Sequence, residues 1–244
     1  VTDSDCRQER QIIRSIIMNK AFTLSETLIT LGIIGVVAAL TMPAVITNYQ
    51  KKQTSAQLKK AYSTFAQALV QAQYEFGDAS SWTVTEPSSS YEDNLAYFET
   101  YWKPYIKIIK VCKTMNECGY DITGYASLSN KNNYVYYGQF ANVPGFIYGD
   151  GTYAYLRPYN INSTEDNRQR LQLLSIDLNG PKKPNVIGKD VFQFIINTNN
   201  GVISGFGNKN LCTAANIKNS AEYSRSCGGK IMADGWEILD DYPW

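Results

Sequence analysis

The chain contains no histidine. That absence removes the commonest general base, the usual partner of an activated nucleophile and the commonest zinc ligand together. Carboxylates and lysines remain, yet an enzyme is not the expectation. An excess of charge of one sign is missing too: the formal net charge is +1 over 244 residues, of which 18% are charged. A nucleic-acid or membrane-surface binder carries a basic excess, so net charge does not select the partner and no nucleic acid is expected. Internal repeats of solenoid length are absent.

Cysteine is scarce, with five residues at Cys6, Cys112, Cys118, Cys212 and Cys227. If Cys6 falls in a removed leader, an even set remains and points to an oxidising compartment. Short-range bridges, Cys112 to Cys118 and Cys212 to Cys227, are the leading pairing, although four cysteines permit three connectivities.

What the chain does have is a long apolar run. The stretch "KAFTLSETLITLGIIGVVAALTMP", Lys20 to Pro43, carries a lone carboxylate, Glu26, at its entrance. From Leu28 to Ile46 there are 19 residues without a charge, close to the length a bilayer core demands of a helix. An unpaired carboxylate beside such a run needs a partner or a proton. The run is too long for the apolar core of an ordinary cleaved secretory signal, and Glu26 interrupts it. Upstream of Met18, residues 1–17 read as a mis-assigned start in preference to an unusually long leader; residues 1–21 are set aside as leader.

Beyond Ile46 the chain turns polar without a break. Leu58, Tyr62, Phe65, Leu69, Ala72 and Phe76 recur at steps of four and three, one stripe of a helix that Gly77 ends. One helix is therefore expected over 22–76, its membrane segment over about 24–46, with a kink or local melting between Gly35 and Pro43. Residues 77–244 form the globular domain. It opens with a Ser/Thr/Pro-rich loop, then a short helix and a strand-like run into Cys112. Strands are expected over 134–140, 145–148, 153–157, 171–178, 191–197 and 202–206, with "GDGT" and "NTNNG" supplying hairpin turns. The fold class is α+β: one long N-terminal helix on an antiparallel sheet.

The N-terminal stretch resembles the signature of type IV pilins and type II secretion pseudopilins. The resemblance rests on Lys20 in a short basic leader, the Ala21 to Phe22 junction, "FTLSE", the long apolar helix and Pro43, and covers residues 18–76. It implies cleavage before Phe22 by a prepilin peptidase, methylation of the new amino group, and assembly into a pilus or pseudopilus with other pilin-like subunits and copies of itself. That family prefers glycine where this chain has Ala21, a departure that could slow cleavage. Glu26 would then pair with the amino group of Phe22 in a neighbouring subunit and set register. The resemblance further implies an inner-membrane assembly platform as partner, contact with membrane lipid, and a single-pass topology with the globular domain outside the cytoplasm. The positive-inside rule supports that topology only faintly, because lysines flank the run on both sides.

Calcium enters through the same resemblance, since major pseudopilins bind it in a C-terminal loop. Asp177, Asn179 and Asp190 supply oxygens of the right kind, but calcium takes six to eight and the spacing is not that of an EF-hand. A plain Asx turn at "DLNG" is the alternative; otherwise no cofactor is expected.

Three further groups carry bland readings beside sharp ones. Asp150, Asp234, Glu237, Asp240 and Asp241 could be paired catalytic carboxylates, yet Asp150 and Asp234 precede glycine as turn residues do. Lys182, Lys183 and Lys189 form a small basic cluster that could touch DNA, but three lysines without interleaved aromatics read as a solvated loop. The 18 tyrosines and four tryptophans suit half-buried sheet or an interface. They also suit a sugar-binding face, which would make the chain an anchored or secreted binding protein, the competing class.

Overall fold

The computed structural model describes residues 23–83, 85, 89–121, 124–129, 134–135, 142–159 and 171–244. The leader, Cys6, Ala21, Phe22 and the expected strand residues 136–140 lie outside them. The chain divides into two compact units, one ending at Tyr49 and the other spanning Gln50–Trp244. Helix α1, Leu24–Phe76, contributes to both.

In the first unit α1 carries no buried residue. Leu28, Leu31, Ile33, Val36 and Leu40 are each at least half exposed. The threonines hide their polarity: Thr30 Oγ1 donates to Glu26 O at 2.8 Å, Thr41 Oγ1 to Val37 O at 2.9 Å and Thr47 Oγ1 to Pro43 O at 2.9 Å. Hydroxyls satisfied within the helix leave an apolar surface with no polar demand on its surroundings. The helix is continuous through Pro43. Local melting, expected from the missing amide proton, therefore does not occur; neighbouring turns keep their hydrogen bonds.

In the second unit the expected stripe is the packing face. Leu58, Phe65, Leu69 and Ala72 are buried, joined by Ala61 and Ala68, whose small side chains let the sheet approach. Phe76 is 39% exposed and ends the stripe. Phe65 meets Tyr148 edge to face at 5.5 Å, and Tyr62 lies 5.6 Å from Phe194 and 4.9 Å from Trp236. The Tyr62 hydroxyl donates to Ile203 O at 3.0 Å. Helix α2, Tyr91–Tyr101, starts in a capping box between Ser90 and Asp93.

The strands are β1 (Ile108–Cys112), β2 (Tyr125–Ser127), β3 (Tyr134–Val135), β4 (Gly145–Tyr148), β5 (Thr152–Tyr159), β6 (Leu171–Asp177), β7 (Val186–Ile187), β8 (Val191–Asn197) and β9 (Val202–Gly205). They form one sheet ordered β1-β4-β5-β6-β8-β7-β2-β3, with β9 also on β8. Most pairings are antiparallel, as expected, but β7 pairs in parallel with both β2 and β8, so the sheet is mixed. The centre is the β5, β6 and β8 ladder, with Leu174 opposite Leu156 and Phe194. Period-two alternation sends Leu174, Ile176, Phe192, Phe194 and Ile196 into the core under α1 and Leu173 and Ile195 to the other face.

Two short helices close the chain, α3 (Ala214–Asn219) and α4 (Cys227–Ala233). In α4, Gly228 and Gly229 are poor helix formers. They are there because the helix touches the sheet: a Cβ on Gly205 of β9 would lie 2.2 Å from Gly229 Cα.

Candidate functional site

The disulfides form as the short-range pairing anticipated, with Cα separations of 5.7 Å for Cys112 to Cys118 and 5.0 Å for Cys212 to Cys227. The first ties β1 to the following turn. The second anchors α4, closing a loop of 15 residues worth roughly 3 kcal/mol in the chain-entropy account.

At the other end Glu26 has a local partner. Its Oε2 accepts from the Thr23 amide at 3.0 Å while the Glu26 amide donates to Thr23 Oγ1 at 3.2 Å. This is a capping box, so the carboxylate satisfies the first turn of α1. The pattern Thr-x-x-Glu is legible in the sequence as "TLSE". Helix α1 is long and apolar enough to cross a membrane.

The loop between β6 and β8 brings together Asp177, Asn179 and Asp190. Asp177 and Asp190 are 1% and 7% exposed. Burial pushes both carboxyl groups above their ordinary range, with the Asp190 charge adding to the effect on Asp177. The Tyr120 hydroxyl donates to Asp177 Oδ2 at 2.8 Å and opposes that rise. Asp190 faces donors: the Val186 amide at 2.6 Å on Oδ1, and the Asn185 amide at 2.8 Å and Asn179 Nδ2 at 3.2 Å on Oδ2. Those are the surroundings of a carboxylate that anchors a loop. Asn179 turns its nitrogen toward Asp190 and Lys183 O. The three residues chosen for calcium are therefore neighbours without forming one shell of oxygens around a cation. Among the described residues no cluster of three or more Cys, Asp or Glu side chains suits a metal.

Sequence reasoning missed Tyr120, which reaches this loop from the turn after β1, and Asn185 within it. Asn185 adopts a positive φ of 55° and is 3% exposed. Gly180, at φ 61°, sits so close to the β4 to β5 turn that a Cβ would lie 2.7 Å from Gly151 O. The "NG" and "PN" pairs were the available signals. A cleft lined by Gln53, Gln57, Asn179, Pro184, Lys189 and Trp244 opens beside the loop.

Of the other carboxylates, Asp150, Asp234 and Asp241 are held by lysines. Asp150 lies in the β4 to β5 turn with Lys60 Nζ at 2.6 Å, which holds its carboxyl below the ordinary range. Asp234 and Asp241 share Lys230, at 2.9 and 2.7 Å. Lys182 and Lys183 are exposed, while Lys189 lies 5.5 Å over the Trp244 ring. Most of the large rings serve the core: Trp82, Trp102, Tyr120, Tyr125, Tyr153 and Tyr155 are fully buried.

Comparison with known proteins finds no matching curated protein and no matching solved structure. Residues 44–244 match a family described as a family of unknown function, DUF6613, a span that contains the whole Gln50–Trp244 unit. The chain belongs to that family.

Proposed function

We propose that the chain is a pilin-like structural subunit, cut before Phe22 by a prepilin peptidase and assembled through α1 into a pseudopilus or type IV pilus. The observation that carries this is the run of α1 from Leu24 to Ile46, whose large apolar side chains are all more than half exposed. An apolar surface of that length needs lipid before assembly and other apolar helices after it. Growth through one helix per subunit is heterologous and does not close, which gives a filament. The subunit waits in the inner membrane with the disulfide-bonded unit outside the cytoplasm, where thiols oxidise.

A photo-crosslinking residue placed at Leu31 in the native host tests it. Capture of the N-terminal helix of a second copy or another pilin-like subunit is expected. Capture of lipid alone would leave an anchored binding protein and overturn the proposal.

A further inference from the structure

Helix α1 carries a row of polar side chains without internal partners. Gln50, Gln53, Thr54 and Gln57 stand at the i, i+3, i+4 and i+7 positions of one helix face. Elsewhere on α1, Thr47, Ser63 and Thr64 donate their hydroxyls to carbonyls of their own helix, at 2.9, 2.8 and 3.1 Å. Among the described residues, neither Thr54 nor any of these three glutamines makes a side-chain hydrogen bond. The row forms one wall of the cleft beside the β6 to β8 loop, which encloses about 350 Å³ within the Gln50–Trp244 unit, a size that suits a small ligand.

The facing wall adds one charge and an apolar surface. Among the described residues Lys189 has no carboxylate within ion-pair distance, and its ammonium lies 5.5 Å over the Trp244 ring. Asp190 also lines the cleft, but its oxygens are engaged by the Val186 and Asn185 amides and by Asn179 Nδ2. Lys189 is thus the charge left for a ligand, with Trp244 and Pro184 as apolar surface beside it. We propose that this cleft binds an acidic saccharide. Its carboxylate pairs with Lys189 Nζ, its hydroxyls with the glutamine amides and Thr54, and its C–H surface rests against Trp244 and Pro184.

The chemistry of the walls selects that class. A glutamine amide carries both donors and acceptors, and a sugar hydroxyl is both at once, so amides and neighbouring hydroxyls pair in either direction. Side chains three and four positions apart on a helix stand roughly 5–6 Å apart at Cβ, so adjacent amides reach hydroxyls of one ring or of two joined rings. A single unpaired lysine calls for a carboxylate, the stronger kind of hydrogen-bond partner. An extended peptide would need a free strand edge to join, and none of the lining residues lies in a strand. The site does not depend on filament assembly, since every lining residue belongs to the Gln50–Trp244 unit.

The test is calorimetric titration and saturation-transfer NMR of the full chain in a detergent without a sugar headgroup. The probes are trigalacturonate, a hyaluronan tetrasaccharide and sialyllactose, each beside its methyl ester, with hexaglutamate as the charge control. At least one acidic saccharide should bind saturably with a Kd of roughly 1 mM or tighter, and its methyl ester about tenfold more weakly. Lys189→Gln should remove that difference. Gln53→Ala combined with Gln57→Ala, at exposed positions where alanine favours helix, should weaken acid and ester alike while circular dichroism stays unchanged. Failure of all three saccharides to bind, equal binding of acid and ester, or binding untouched by the double glutamine variant would overturn the proposal. Displacement of the saccharide by an equal concentration of hexaglutamate would overturn it too, in favour of an acidic peptide.

Discussion

Thr23 and Glu26 cap each other at the start of α1, amide to side chain in both directions, at 3.0 and 3.2 Å. The carboxylate at the mouth of the apolar run is therefore satisfied within its own helix. Capping needs an acceptor at that position, whereas pairing with an amino group needs a negative charge.

The two roles separate in one substitution. Glu26→Gln retains an acceptor for the Thr23 amide and removes the charge. Subunit cleavage is expected to continue while incorporation into filaments, read by shearing and quantitative immunoblotting, falls at least severalfold. Normal incorporation would assign Glu26 to capping alone.

Phe65 lies fully buried between α1 and the sheet, beside Phe146, Tyr148 and Trp102. Phe65→Ala should cost about 3–5 kcal/mol in chemical denaturation. A loss under 1 kcal/mol would mean that α1 does not depend on this contact.

The packing of α4 on β9 tolerates no side chain at Gly205. Gly205→Ala should destabilise the domain by about 1–3 kcal/mol through overpacking. Gly235→Ala is the comparison that separates the two costs: its added Cβ meets nothing within 4 Å, so any loss there comes from its positive φ of 75° and not from crowding.

Non-reducing peptide mapping of exported protein should recover Cys112 linked to Cys118 and Cys212 linked to Cys227. Cys227→Ser is expected to lose roughly 3 kcal/mol of stability. Recovery of free thiols would contradict an oxidising location.

Much of this architecture was legible because it follows periodicity. The stripe from Leu58 to Ala72 is a helix face, and β4, β5, β6, β8 and β9 are bounded by the turn residues that announced them. The two-residue strand β7 was not legible. Its parallel pairings depend on the loop that Asp190 pins, a tertiary cause. Nor was α4, because Gly228 and Gly229 argue against helix until the Cys227 bridge and the close approach to Gly205 are known. In the loop between β6 and β8, Asp177 was visible as a turn carboxylate. Asn185 was not, since only its left-handed backbone turns the amide inward.

The decisive measurement is N-terminal mass spectrometry of the mature protein extracted from membranes. A chain beginning at N-methylated Phe22 is the predicted result and places it on the prepilin pathway. A chain beginning upstream of Phe22, or beyond Pro43, would contradict assembly through α1 and leave an anchored or freely secreted binding protein.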